Sequence, residues 1–141
     1  MTIAAAVAQQ STTTRHPLAV RRFDPRKEGL ERWLGELETS LMHLFWAAGD
    51  GELTVREVHQ RYVRDVRAST AHTTIMTTLA RMAEKGLLSR RETRAGTRRY
   101  IYRANVVDAY ELERRYTWDV LTALGFGDRE ADELLRQLAL D

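Results

Sequence analysis

The chain predicts a mainly α fold with a small β-wing, a winged helix-turn-helix followed by C-terminal dimerisation helices. Three observations lead there. Apolar residues recur at helical spacing in three stretches between Leu34 and Lys85. Two short alternating strands around a Gly-containing turn follow at once. Charge also segregates along the chain. Residues 56–104 carry twelve Arg or Lys against four Asp or Glu, a net of +8, whereas residues 105–141 carry four against nine, a net of −5. The whole-chain value of +2 conceals this asymmetry.

Three segments are expected: a basic N-terminal extension over 1–29, a winged-helix domain over 30–104 and a helical dimerisation region over 105–141. The extension has no clean period and contains Pro17, Pro25 and Gly29, so it reads as loosely attached. Its Arg15, Arg21, Arg22, Arg26 and Lys27 suit phosphate contact or a solvated tail equally. The first helix is expected over about 34–48, where Leu37, Leu41, Leu44, Phe45 and Ala48 form one stripe before Gly49-Asp50-Gly51. Leu53-Thr54 is a short extended piece. Thr54 then resembles an N-cap, with Glu57 as its capping-box partner. Val55, Val58 and Tyr62 supply the inward face of the second helix, and 64–69 is a loop. The third helix spans roughly 71–85 and stops at Gly86.

The wing follows, with strands over 87–93 and 98–104 and a turn over 94–97. Its second strand alternates Arg99, Ile101 and Arg103 with Tyr100 and Tyr102, which leaves open which set faces inward. The expected core is Leu37, Leu41, Leu44, Phe45, Val58, Ile75, Leu79, Met82, Leu87 and Ile101. A long helix begins near Val106, is broken by Gly125-Phe-Gly-Asp, and gives way to a last helix capped by Asp128 and striped by Ala131, Leu134, Leu135 and Leu138. Val107, Tyr110, Trp118, Leu121, Leu124, Leu134 and Leu138 are the candidate dimerisation residues. The alternative is that both helices fold back on their own wing domain.

Composition excludes several functions. Cysteine is absent, so disulfides, thiolate metal sites and a catalytic Cys are ruled out. No apolar run has the length that spans a bilayer. The opening residues lack a basic n-region and read as a cytoplasmic start rather than a signal peptide. His16, His43, His59 and His72 lack metal-ligand spacing, and no phosphate-cradling glycine loop or nucleophile motif occurs. Neither enzyme activity nor a metal or cofactor is therefore expected. His59 is expected to be solvated, although His43 and His59 could meet in space.

Duplex DNA is the expected partner. In a major groove the third helix would present His72, Thr73, Met76, Thr77, Ala80 and Arg81, and Thr74 joins them as a candidate DNA-binding residue. Thr methyls and Met suit thymine methyls, Thr hydroxyls accept either polarity of base edge, and Arg reaches guanine or backbone. Four threonines in six positions are poor helix formers and ask for a reason beyond propensity. Arg90, Arg91, Arg94, Arg98 and Arg99 surround the wing turn, where mutual repulsion would be relieved by phosphates. Arg56, Arg61, Arg64 and Arg67 could touch flanking backbone or face solvent. A winged-helix module that docks protein rather than DNA is the alternative function. A ligand cleft lined by Tyr100, Tyr102, Tyr110 and Trp118 also remains open.

The segments Leu34-Gly-Glu-Leu-Glu-Thr-Ser-Leu-Met-His-Leu-Phe-Trp46, Leu53-Thr-Val-Arg-Glu-Val-His59, Ala71-His-Thr-Thr-Ile-Met-Thr-Thr-Leu-Ala-Arg-Met-Ala-Glu-Lys-Gly-Leu-Leu88 and Arg99-Tyr-Ile-Tyr-Arg103 carry a resemblance. Over about 34–104 the chain resembles the BlaI/MecI/CopY (penicillinase repressor) family of bacterial winged-helix transcriptional regulators. The resemblance implies a homodimeric, cytoplasmic repressor on an inverted repeat, joined through C-terminal helices. It places Thr73, Thr74, Met76, Thr77 and Arg81 at the family's recognition-helix positions. In the antibiotic-resistance branch a membrane metalloprotease sensor triggers cleavage between Asn and Phe in the dimer helix; Thr117-Trp118 stand near that position, so the pair is missing. The copper branch holds metal through a Cys-x-Cys pattern, and this chain has no Cys. The inducer or sensor is left open.

Overall fold

The computed structural model describes residues 23–49, 51–65 and 69–139. The expected phosphate contacts of Arg15, Arg21, Arg22 and Arg67 lie outside them. A 3₁₀ turn over Gly29–Arg32 precedes α1 (Glu36–Ala47), β1 (Leu53–Thr54), α2 (Val55–Asp65) and α3 (His72–Glu84). The wing strands β2 (Leu88–Glu92) and β3 (Tyr100–Ala104) follow, then α4 (Ala109–Ala123) and α5 (Asp128–Ala139). The strands form one antiparallel sheet in the order β1-β3-β2, so the two-residue β1 pairs with the far side of the wing hairpin. This mainly helical architecture with a small sheet is the winged helix expected from sequence.

The three helices of the head bury one stripe each: Leu41, Met42 and Phe45 from α1, Val58 and Tyr62 from α2, and Ile75, Leu79 and Met82 from α3. Leu37 and Leu44 are partly buried against this cluster. Completely burying an aliphatic side chain contributes about 1.5–3 kcal/mol, so these stripes set the mutual orientation of the helices. Local chemistry fixes where α2 begins. Glu57 N–H donates to Thr54 Oγ1 at 3.1 Å and Thr54 N–H donates to Glu57 Oε1 at 2.8 Å, both halves of the capping box.

The structure corrects the expectation for Ile101. Register places Leu53 opposite Tyr102 and Leu88 opposite Ala104, so these four residues share one face of the sheet. Tyr102 is buried on that face, and Ile101, one residue along, points the other way and is only half-buried. A second correction concerns α5. Asp128 is its first helical residue rather than its cap; Gly127 supplies the carbonyl for Ala131 N–H, and Gly127 N–H donates to Glu130 Oε1 at 3.0 Å. The chain enters this helix one residue earlier than expected.

Residues 23–28, inside the expected extension, lie against the head. Asp24 N–H donates to the Arg32 carbonyl at 2.8 Å, and the Phe23 ring lies 4.5 Å from that of Trp33. Trp33 stacks in turn on Tyr116 of α4, with centroids 5.2 Å apart and planes 14° apart. α4 starts at Ala109, later than expected, because Asp108 caps it by accepting from Glu111 N–H at 2.8 Å. The preceding Val106 is buried in the core, and its carbonyl accepts from Trp46 Nε1 at 2.8 Å.

Candidate nucleic-acid interface

Helix α3 has two faces of different chemistry. Ile75, Leu79 and Met82 are fully buried, while His72, Thr73, Thr74, Met76, Thr77 and Arg81 are all exposed. Met76 is 46% exposed and lies among these threonines. Thr78 differs from its neighbours: its hydroxyl donates to the Thr74 carbonyl at 2.8 Å, a back-bond within the helix.

Both ends of α3 are fastened. At its start, His59 of α2 bonds through Nε2 to the Thr70 carbonyl at 2.9 Å, and its ring meets the His72 ring edge-on at 5.3 Å. His59 is thus half-buried rather than solvated. It pairs with His72, not with His43, whose ring lies against Trp46. At the other end Gly86 takes φ +86°, a left-handed conformation that glycine adopts without penalty, and Leu87 N–H reaches the Met82 carbonyl at 3.0 Å. Lys85 Nζ donates to Glu38 Oε2 at 2.7 Å, tying this end to α1. The exposed stripe is therefore presented on a helix held at both ends.

Strand parity sorts the wing arginines. Arg90 is opposite Tyr102 and shares the core-side face with Glu92 and Tyr100; Arg91 is opposite Ile101 and points to the other face. Arg91 lies 3.6 Å from Glu52 there. Arg90 Nη1 donates to the Tyr102 hydroxyl at 3.3 Å, and its guanidinium sits 4.3 Å from the Tyr100 ring centroid. The Tyr102 hydrogen bond pushes the Arg90 pKa up. Arg94, Arg98 and Arg99 are exposed around the tip, whose turn is closed by Thr97 N–H and Oγ1 donating to the Arg94 carbonyl. Glu92 Oε2 accepts from Gly96 N–H at 2.7 Å. Arg98 takes φ +57°, left-handed backbone at a residue that is not glycine.

Between the start of α2, the outer face of α3 and the wing runs a groove of about 610 Å³. It brings together His72 and Met76 with Arg90, Arg98 and Arg99, and adds Arg56, which sequence reasoning left undecided. Arg64 is directed elsewhere, onto Asp65 at 2.6 Å, and holds that carboxyl below the usual carboxylate range.

The C-terminal helices divide their apolar residues. Leu112 and Tyr116 of α4 face the head and are buried, an inward stripe the sequence reading missed although the two sit four residues apart. Val107, Tyr110, Leu124 and Leu138 remain 75%, 59%, 71% and 58% exposed, and Trp118, Leu121 and Leu134 are half-buried. A second cleft, about 630 Å³, separates Phe23 and Trp33 from Tyr110, Leu121 and Leu138. The four aromatics considered for one ligand cleft do not converge: Tyr100 and Tyr102 line the wing groove and Tyr110 lines this other cleft.

Among the described residues no helix is long and apolar enough to cross a membrane, and no group of three or more His, Asp or Glu could hold a metal ion. Comparison with curated proteins and with solved structures yields no match. The family model described as penicillinase repressor matches residues 34–134, from just ahead of α1 to the middle of α5. That family consists of DNA-binding transcriptional repressors rather than enzymes, and its match spans the helices, the wing and the exposed face of α3. The chain belongs to the penicillinase repressor family.

Proposed function

We propose that this protein is a cytoplasmic, non-enzymatic repressor that binds a palindromic operator as a homodimer. The observation that carries the reading is the exposed stripe Thr73, Met76, Thr77 and Arg81 beside an arginine-rich wing. In a major groove the Thr and Met methyls would contact thymine, Thr hydroxyls would meet either base polarity, and Arg81 would address guanine. The wing arginines would neutralise neighbouring phosphates, the part of affinity that depends on salt. The exposed side chains of Tyr110 in α4 and Leu138 in α5, with Val107 and Leu124 flanking α4, support pairing through this C-terminal part, because large apolar groups left uncovered favour association. A twofold dimer would set the two α3 helices about 34–36 Å apart, one turn of duplex.

Selection of duplexes from a random pool tests the reading: an inverted repeat should emerge. On that duplex, Thr77→Ala with Arg81→Ala should abolish preference over random DNA while retaining general duplex binding. Equal losses on both DNAs would refute base readout by these residues. Leu124→Glu should turn the dimer into a monomer in sedimentation; an unaltered dimer would refute pairing through this surface.

A further inference from the structure

We infer that the groove between α3 and the wing seats one sugar–phosphate strand of the duplex, with Arg90 as its pre-oriented anchor, Tyr100 and Tyr102 as the positioning residues, and Arg56 on the opposite wall. The inference rests on the reading that the protein binds duplex DNA, and it deepens that reading. The lining of the groove contains four arginines, Arg56, Arg90, Arg98 and Arg99, and no carboxylate among the described residues. A concave surface of that charge recognises an extended anion, and base edges alone do not call for it.

Arg90 differs from the other three. Its Cζ lies over the Tyr100 ring, 4.3 Å from the centroid, and Tyr102 accepts one N–H at 3.3 Å. The Tyr102 hydrogen bond uses one of the five guanidinium N–H donors and leaves others to bond phosphate oxygens. A clamped arginine also has less rotamer freedom to lose on binding. The opposite face of the sheet supplies a comparison: Arg103 is exposed there, across from Ser89 and away from the groove. Tyr100 is half-buried and Tyr102 buried, so both rings are held by the fold before any duplex arrives.

The test uses the full-length protein, a labelled selected duplex and a random duplex, with fluorescence anisotropy over a series of salt concentrations. Arg90→Ala should weaken both complexes about tenfold and make the slope of log affinity against log salt shallower by about 0.9 per protomer. Arg56→Ala should act in the same direction, and Arg103→Ala should keep the wild-type slope. Tyr100→Phe, which preserves the ring face, should bind as wild type; Tyr100→Leu should lose affinity on both duplexes. Thermal midpoints check folding, and if Tyr100→Leu does not fold, the exposed Arg90 carries the test alone. A steep wild-type slope unaltered by Arg90→Ala overturns the anchor, as does an equal loss from Arg103→Ala. A wild-type protein whose duplex binding ignores salt overturns the DNA reading and the groove assignment together.

Discussion

Replacing Tyr116 by Ala should loosen the C-terminal helices from the head. Tyr116 is 2% exposed, stacks on Trp33 at 5.2 Å and lies one turn beyond the fully buried Leu112. Beside it Arg32 Nη2 donates to Glu113 Oε2 at 2.6 Å, but that pair is partly exposed and adds little. Truncating a buried aromatic to Ala costs about 3–5 kcal/mol, the stacking included. With a urea m value of about 2 kcal/mol/M, a loss of about 4 kcal/mol moves the unfolding midpoint down by about 2 M. Urea titrations at one fixed protomer concentration, followed by circular dichroism, measure it; the concentration must be held because dimerisation would add to apparent stability. Tyr116→Phe keeps the ring and should stay within about 1.5 kcal/mol of wild type. Leu79→Ala in the head core is the reference, at about 2–5 kcal/mol. If Tyr116→Ala moved the midpoint by less than about 0.5 M while Leu79→Ala moved it in full, the docking of α4 on Trp33 would be refuted.

Two further outcomes follow from single residues. Burial first, then the nearby Glu38 and Asp119 carboxylates, push the Tyr116 phenol above its ordinary value of 10.0. The native state therefore keeps a proton that the unfolded chain releases near pH 10; the associated stability is complete below that pH and declines above it. Unfolding midpoints between about pH 8 and 11 should fall less steeply in Tyr116→Phe, and identical slopes would contradict the shift. Arg98 holds a left-handed φ of +57° at the wing tip. Arg98→Gly should remove a strain of about 1–2 kcal/mol, offset in part by glycine's unfolded-state entropy, so thermal stability rises by up to about 1 kcal/mol while duplex affinity falls. A drop in thermal stability would show that the arginine side chain holds the turn.

Much of the head was legible because its signals are local. The stripe Ile75-Leu79-Met82 and the outward run of His72, Thr73, Met76, Thr77 and Arg81 follow from helical geometry alone. The Thr54–Glu57 capping box and the Gly86 stop each depend on a few adjacent residues, and both formed where expected. The wing alternation was equally visible, yet alternation defines two faces without saying which turns inward. Pairing with Leu53, far upstream, put Tyr102 in the core and turned Ile101 to the half-buried opposite face. His59 read as solvated because nothing in its own helix reveals that Thr70 and His72 come back beside it.

The order of helices and wing, and the division of α3 into an apolar and a polar face, were written in the spacing of neighbouring side chains. Only the assembled chain determined which arginines share the groove, because strand register turns Arg90 toward Tyr100 and its neighbour Arg91 toward Glu52. The same holds for α4, whose Leu112–Tyr116 stripe is buried against the head, with Tyr116 on Trp33, while Tyr110 and Leu124 stay exposed. The helical period marks both stripes alike; what distinguishes them is a contact with residues far away along the chain.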